Sequence, residues 1–453
     1  MTHSSLPPLL ALFRVNFDNK HGHTLSFLKS RLPNLCFSSR DQLALKSIPS
    51  QSHNVTIGDF SLFNFQRYSG ISFVNCWKDE KVERKWRTEA IGCVAVSHAD
   101  CLAHLEFMKS VLVDQLKEAK HMDKNDVDYA ILEHKREALL EEHWERHCEN
   151  NVHQLSIHSQ RELRKEYSVG FLNSLVQYYG ANIMILWKLL LLRKRVILYS
   201  DFPLAALSGR TSALGGLLYC ESVADPKNGE AREFIEWPRQ QSGGDETVRD
   251  SIELQDEYRT PLLHHNNVED SLIDEHLLET ACNVLKHPKE LNIISIEDLF
   301  IDELSEFYVA GTADKIFVHK EETYDAFFEG NTLILSEIYK LQLSFLTTPT
   351  QTDLLHSDSL KINANSAQEA HAQDQLLRAY ISALNSNLLH VLLNHQGKDM
   401  PPSEVAKALS TNPRKLTQAD YLFLDELNKT WGLNIHLSRP SELWSLTSWC
   451  CST

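Results

Sequence analysis

The 453-residue chain has no excess of positive charge. Its 45 Lys and Arg stand against 61 Asp and Glu, giving a formal net charge of -16. Nucleic-acid binding needs a basic stripe to neutralise phosphates, so that class of partner is excluded. General adhesion to an anionic membrane is excluded on the same ground, which leaves at most peripheral membrane association through local basic patches. The chain also lacks a long apolar run. The most apolar stretch, residues 183–192, contains Lys188 and meets Arg193-Lys-Arg195. A transmembrane helix needs ~20 mostly apolar residues, so this stretch is expected to be a buried core helix. Residues 1–8 have no basic start, and prolines interrupt their short apolar stretch. No secretory signal is therefore expected. The nine cysteines are scattered and odd in number. With no signal, they read as reduced thiols of a cytoplasmic protein, and the sequons at Asn54 and Asn428 as chance matches.

Several catalytic signatures are missing as well. The stretch Ser208-Gly-Arg-Thr-Ser-Ala-Leu-Gly-Gly216 lacks the lysine of a P-loop. There is no Gly-x-Gly-x-x-Gly fingerprint and no Gly-x-Ser-x-Gly elbow. Hydrolysis of ATP or GTP through the chain's own P-loop is thus not expected, nor is α/β-hydrolase chemistry, and no cofactor is implied. His143, His147 and Cys148 lie close in sequence, but the glutamate of the zincin motif is absent. With no second ligand set, the bland reading is a charged solvated helix. The terminal Cys450-Cys-Ser-Thr453 formally matches a prenylation box, yet its third position is Ser and no polybasic run precedes it. Lipidation of Cys450 or Cys451 stays open beside the reading of an exposed tail.

What is present is an ordinary globular composition, 42% hydrophobic and 23% charged. At ~150 residues per domain, the length suggests about three units. Residues 9–17 read as a buried strand, followed by the turn Asp18-Asn-Lys-His-Gly22 and a second strand. Extended stretches are expected at 59–66, 70–77 and 89–96. Ser97-His-Ala-Asp100 reads as a helix start at capping-box spacing, and Leu102, Leu105, Met108, Leu112 and Leu116 continue at helical spacing. Residues 121–167 are highly charged and read as a solvated helical connector. From Gly170 the pattern is helix, strand, helix, the mark of a layered α/β unit. Residues 222–290 are polar and acidic and read as a loop insertion. Strands are expected at 291–296 and 307–311. Residues 347–373 read as a polar linker, and the tail from Gln375 as helical, with a last helix-strand unit at 421–437.

The segment Ile183-Met-Ile-Leu-Trp-Lys-Leu-Leu-Leu-Leu-Arg-Lys-Arg-Val-Ile-Leu-Tyr-Ser200 resembles the central helix-strand of DENN domains, where a Leu-rich helix runs through an Arg-rich collar into a Val-Ile-Leu strand. Leu12-Phe-Arg-Val-Asn-Phe-Asp-Asn-Lys-His-Gly22 resembles the first hairpin of the longin module that precedes such domains. Tyr308-Val-Ala-Gly-Thr-Ala-Asp-Lys-Ile-Phe317 resembles the strand and turn near the end of the DENN module. Residues 418–437, with Tyr-Leu-Phe-Leu-Asp-Glu-Leu and Trp-Gly-Leu-Asn-Ile, resemble the C-terminal segment of one subfamily, that of DENN domain-containing protein 11. The order and spacing of all four segments match. The departures from the family pattern are the insertion at 222–290 and the charged connector.

This resemblance implies an α/β fold. An α+β longin lobe over 1–120 would be followed by the connector at 121–167, a layered α/β DENN lobe over 168–346 and a helical C-terminal part over 347–453. It also implies guanine nucleotide exchange on a Rab-type small GTPase in vesicle trafficking, without covalent chemistry. Two alternatives follow from the same resemblance. One is GTPase activation by an arginine finger, for which Arg84 and Arg87 are the candidates; the other is a non-catalytic trafficking scaffold. The best-matched positions, Arg193, Lys194, Arg195, Thr312 and Asp314, are the candidate GTPase interface.

Overall fold

A computed structural model of the chain describes residues 6–440, apart from 19, 33–36, 49–57, 80–84, 115, 118–128, 149–156, 168, 202, 221–284, 296–297, 299–306 and 367–369. The architecture is α/β. Two compact units are formed: one from residues 1–179, 194–214 and 288–342, the other from 180–193, 215–287 and 343–453.

The first unit is organised around a ten-stranded sheet. Its antiparallel half holds β1 (Ala11–Asp18), β2 (Gly22–Ser30), β3 (Asp59–Phe65), β4 (Tyr68–Lys78) and β5 (Trp86–Ala95) in the order β3-β4-β5-β1-β2. β4 and β5 are buried on both faces over most of their length, which is why they show no clean alternation of apolar and polar residues. Phe13, Val15, Phe63, Phe65, Val74, Ala90 and Val94 point to one face and pack with Leu43, Ala44 and Ile48 at α1 (Phe37–Ser47). Leu12, Phe60, Leu62, Ile71, Phe73, Ile91 and Cys93 point to the other. There they meet α2 (His98–Leu102), α3 (Leu105–Lys109) and a π-helical turn at 110–114. Ser97 caps α2 as its spacing implied: its side chain accepts from the Asp100 amide.

The charged segment over 121–167 turns out to carry a buried face. In α4 (Tyr129–His147), Leu132, Arg136, Leu140 and His143 recur at helical spacing and are all buried. Arg136, with 0% exposure, donates to Glu89 at 2.5 Å and to the Val111 and Leu112 carbonyls in the π turn. The inner stripe mixes Leu with Arg and His, so composition alone does not distinguish it from a solvated helix. After α5 (Ile157–Glu166), α6 (Leu172–Tyr179) closes the N-terminal part of this unit.

The parallel half contains β6 (Val196–Tyr199), β7 (Lys289–Ile293), β8 (Tyr308–Thr312) and β9 (Ala326–Glu329), in the order β9-β6-β8-β7, with β10 (Thr332–Leu335) antiparallel at the edge. The run α7 (Ile183–Leu191) to β6 is therefore helix then strand, as read. The two elements fall into different compact units, however, and the chain leaves α7 through Arg193 at φ 53°. α8 (Leu204–Leu214), the stretch without a P-loop lysine, packs on β8: a Cβ on Gly311 would meet Thr211 Oγ1 at 2.6 Å. α9 (Glu337–Lys340) ends this unit.

The second unit is helical. It holds α7, α10 (Gln351–Ser366), α11 (Ala370–Asn394), α12 (Pro402–Ala408) and α13 (Gln418–Trp431), with a short parallel pair, β11 (Asp399–Met400) and β12 (His436–Leu437). The expectation of a polar linker at 347–373 is corrected here, because α10 occupies most of it. Leu360 and Ala364 are buried toward its end, but at its start Thr352, Asp353, His356 and Ser357 are buried while Leu354 and Leu355 are exposed. That inverts the usual amphipathic signal. The inner residues answer Lys188, which is 2% exposed and lies 2.8 Å from Asp353 and 3.6 Å from Asp420. Both aspartates also cap helices, Asp353 accepting from the Thr350 amide and Asp420 from the Thr417 amide. One ammonium thus sits between the capping carboxylates of α10 and α13.

Candidate functional site

The two half-sheets of the first unit meet at a seam between β3 and β7. Among the described residues one registered pair joins them, Phe63 with Asn292. Side chains replace the rest of the ladder. The Leu62 amide donates to Ser208 Oγ of α8 at 3.1 Å, and Asn64 Nδ2 donates to the Glu290 carbonyl at 2.5 Å. Asp59, at the start of β3, accepts from the Leu204 and Ala205 amides and so caps α8 from across the seam. Burial pushes its carboxyl up, and these backbone donors oppose that rise.

Asn292 is the centre of the seam. It lies at φ 56°, where β7 shifts register against β8, and is 1% exposed. Asn tolerates this left-handed conformation better than the β-branched residues around it. Its Nδ2 donates to Asn64 Oδ1 at 3.1 Å and lies 3.4 Å from His98 Nε2, while its Oδ1 accepts from Ser212 Oγ at 3.0 Å. One amide therefore touches β3, α2 and α8. His98 Nε2 is also 3.3 Å from the Phe63 carbonyl, and Nδ1 is 3.4 Å from Ser69 Oγ. Burial lowers its pKa to about 4, so the ring is neutral near pH 7. Sequence reading missed this cluster. The signal available was an Asn inside the run Leu291-Asn-Ile-Ile294, a poor strand former at a strand centre.

The five positions singled out from the sequence do not converge. Arg195 precedes β6 and clamps Asp325, with Nε at 3.0 Å and Nη2 at 2.8 Å from Oδ1, and its Nη1 donates to the Glu322 carbonyl. Thr312 ends β8 in register with Tyr199, at the opposite end of the parallel strands, roughly 13 Å away at ~3.3 Å per residue. It is 0% exposed and donates to the Ile294 carbonyl; Asp314 beside it is buried too. Lys194 is buried with its ammonium 4.0 Å from the centre of the Tyr339 ring, whereas Arg193 belongs to the second unit. These residues hold strands and turns in place. Of the arginine-finger candidates, Arg84 lies outside the described residues. Arg87 pairs with Asp79 at 3.1 Å and approaches Glu133 at 3.8 Å.

A further polar centre lies in the first unit. His104 Nε2 is 2.9 Å from the Pro7 carbonyl and Nδ1 is 2.9 Å from His143 Nε2; the His143 ring stacks on Phe107. Burial lowers the pKa of His104 to about 3 and that of His143 to about 2. Among the described residues no group of three or more His, Cys, Asp or Glu is arranged to hold a metal, and no helix is long and apolar enough to cross a membrane.

A mixed α/β sheet with this strand sequence, joined to a helical unit, is the frame in which the four matching segments lie. The family model for DENN domain-containing protein 11 matches residues 12–223. The rat (Rattus norvegicus) protein of that name is 22% identical over 445 residues, covering 95% of this chain and 82% of its own length. The Xenopus laevis protein is 25% identical over 206 residues, 45% of each chain, and the Danio rerio protein 24% over 213 residues, 45% of this chain and 40% of its own. The chain thus spans less than half of the frog and fish relatives and most of the rat one. The resemblance read from the sequence holds: the chain is similar to DENN domain-containing protein 11.

Proposed function

We propose that this chain binds a Rab-type small GTPase and promotes release of its GDP, in the service of membrane trafficking. The observation that carries the reading is the relationship to DENN domain-containing protein 11, which runs along 95% of the chain. The seat proposed for the GTPase is the surface over the seam, where the antiparallel and parallel halves form one continuous sheet. Exchange of this kind needs no nucleophile or base. Switch segments of a GTPase are ordered by their contacts to phosphate and magnesium, so a protein that binds them in another shape weakens the hold on nucleotide. Interface binding energy offsets the lost contacts through differential affinity for the two states. Any membrane recruitment would run through such a partner.

The placement of Arg87 favours exchange over activation. An activating arginine must reach the transferring phosphoryl group, and Arg87 would first have to leave Asp79 and Glu133. The test is to load a panel of Rab GTPases with fluorescent GDP and add the purified chain. Faster release with at least one member supports exchange. Unchanged release with faster GTP hydrolysis that disappears in Arg87→Ala replaces the reading with activation. Binding without either effect replaces it with a scaffold.

A further inference from the structure

The seam contains a hydrogen-bonding conflict. The Glu290 carbonyl accepts from Asn64 Nδ2, which fixes the Asn64 amide so that Oδ1 faces Asn292. Asn64 Oδ1 then requires Nδ2 of Asn292 as its donor, and the remaining Oδ1 of Asn292 accepts from Ser212. His98 Nε2 therefore faces a donor, Asn292 Nδ2, and an acceptor, the Phe63 carbonyl. If Nε2 carries the proton it serves Phe63 on β3. If Nδ1 carries it, Nε2 serves Asn292 on β7 and Nδ1 donates to Ser69. A neutral imidazole has one donor and one acceptor nitrogen, so it cannot hold both strands at once. The same place has a non-glycine residue in the left-handed region, a register shift and one registered backbone pair. By contrast, β4 and β5 share ten registered pairs.

We propose that the β3–β7 seam is a hinge between the two half-sheets, with Asn292 as its clasp and His98 as a partner that alternates between the strands. Opening breaks one backbone pairing and a set of side-chain bonds, so it proceeds without disturbing β4 and β5. Its consequence for exchange rests on the reading of a GTPase seat above the seam; the hinge itself does not.

Amide hydrogen exchange on the free full-length chain tests it. The β7 amides and Phe63 should exchange at least about tenfold faster than the amides paired between β4 and β5, as expected where opening is local. Asn292→Gly keeps the left-handed backbone and removes the clasp. It should speed β7 by about a further tenfold, the scale of one lost hydrogen bond, and leave β4 and β5 unchanged. Ser212→Ala should act in the same direction more weakly. Asn64 and Asn292 direct their side chains at each other across the seam, amide to amide at 3.1 Å, so cysteines placed there face one another. The double variant Asn64→Cys/Asn292→Cys, once oxidised, should slow β7 exchange to the β4–β5 level, and dithiothreitol should reverse this. Equal protection of β7 and β5 in the native chain, or no response to Asn292→Gly, overturns the hinge. For its functional role, the oxidised staple should still bind the GTPase but lose its acceleration of GDP release severalfold relative to the reduced form. Equal acceleration in both forms overturns that role. Absence of acceleration in every form, with the exchange pattern as described, overturns the exchange reading and leaves the hinge standing.

Discussion

Lys188→Met strikes the buried ion pair that joins α10 and α13 in the second unit. Met nearly matches the lysine stem in volume, so the substitution removes the ammonium with little change in packing. It leaves Asp353 and Asp420, 2% and 0% exposed, facing each other without a cation. Removing one partner of a buried ion pair costs about 3–5 kcal/mol. Each carboxylate keeps donors here: Thr350 N at 2.9 Å for Asp353, and for Asp420 Thr417 N at 2.9 Å and Thr350 Oγ1 at 3.1 Å. That places the loss toward the lower end, about 3 kcal/mol, a large share of a domain stability of about 5–15 kcal/mol. With a urea m-value of about 2 kcal/mol/M, the unfolding midpoint of the helical unit should fall by about 1.5 M, read from the far-ultraviolet circular dichroism. Lys188→Met/Asp353→Asn removes one of the two stranded charges and should recover part of the loss. A drop below about 1 kcal/mol, the scale of an exposed pair, refutes the view that the ammonium holds α10 and α13 together. So does a double variant less stable than Lys188→Met alone.

Three other outcomes are expected. His98, His104 and His143 have folded-state pKa values lowered to about 4, 3 and 2. The unfolded chain therefore takes up protons below about pH 6.5 while the folded one does not, and stability falls as pH drops. The loss is about 1.8 kcal/mol per histidine between pH 7 and pH 5, opposed by Asp59 and Glu89, whose pKa values burial raises. Urea midpoints of His104→Asn should show a pH slope flatter by one histidine; an unchanged slope refutes the assignment. Gly311→Ala drives a methyl onto Thr211 Oγ1 at 2.6 Å and Ile293 and Leu207 at 3.0 Å. It should cost about 1–3 kcal/mol in thermal unfolding, relieved in part by Thr211→Ala, which removes the crowding oxygen. Asp325→Asn weakens the clamp on Arg195 and should lower stability by about 1–2 kcal/mol, the scale of a charge-assisted hydrogen bond, without changing GTPase binding, since both residues brace β6 and β9. Loss of binding with unchanged stability would place the collar in an interface.

The strands of the antiparallel half were legible because they are long and apolar, and β1, β3, β4 and β5 lie within two or three residues of where the pattern put them. α1 was not read: Leu43, Ala44 and Ile48 give too short a stripe to stand out from a polar stretch. α10 reads as a linker because the buried face of its first turns is built from Thr, Asp, His and Ser, and only Leu360 and Ala364 add apolar burial further on, too few for a hydrophobic period to register. Its partner, Lys188, was visible in the sequence as a charge inside an apolar helix. What the sequence did not contain was the pairing, since Asp353 and Asp420 lie 165 and 232 positions further on. The candidate interface was drawn from the same kind of signal. Arg195, Thr312 and Asp314 match a family pattern, and the structure uses them to fix turns.

The same distinction bears on the seam. A core residue that is hard to replace and a residue that moves in function often look alike in sequence, and geometry separates them. Arg136 spends donors on Glu89 and on two freed carbonyls of the π turn, and its ion pair is sealed at 0% and 1% exposure. Every bond there is compatible with every other, so one arrangement is favoured strongly. At Asn292 the bonds compete, and His98 can complete either of two sets. Competing sets of similar energy are what a bistable element requires. If exchange on a GTPase is driven by binding energy rather than by chemistry, the protein needs a place where its own shape changes cheaply. The clash of partners at His98 supplies one in the middle of the ten-stranded sheet, and the Arg136 cluster keeps the antiparallel half rigid while the seam opens.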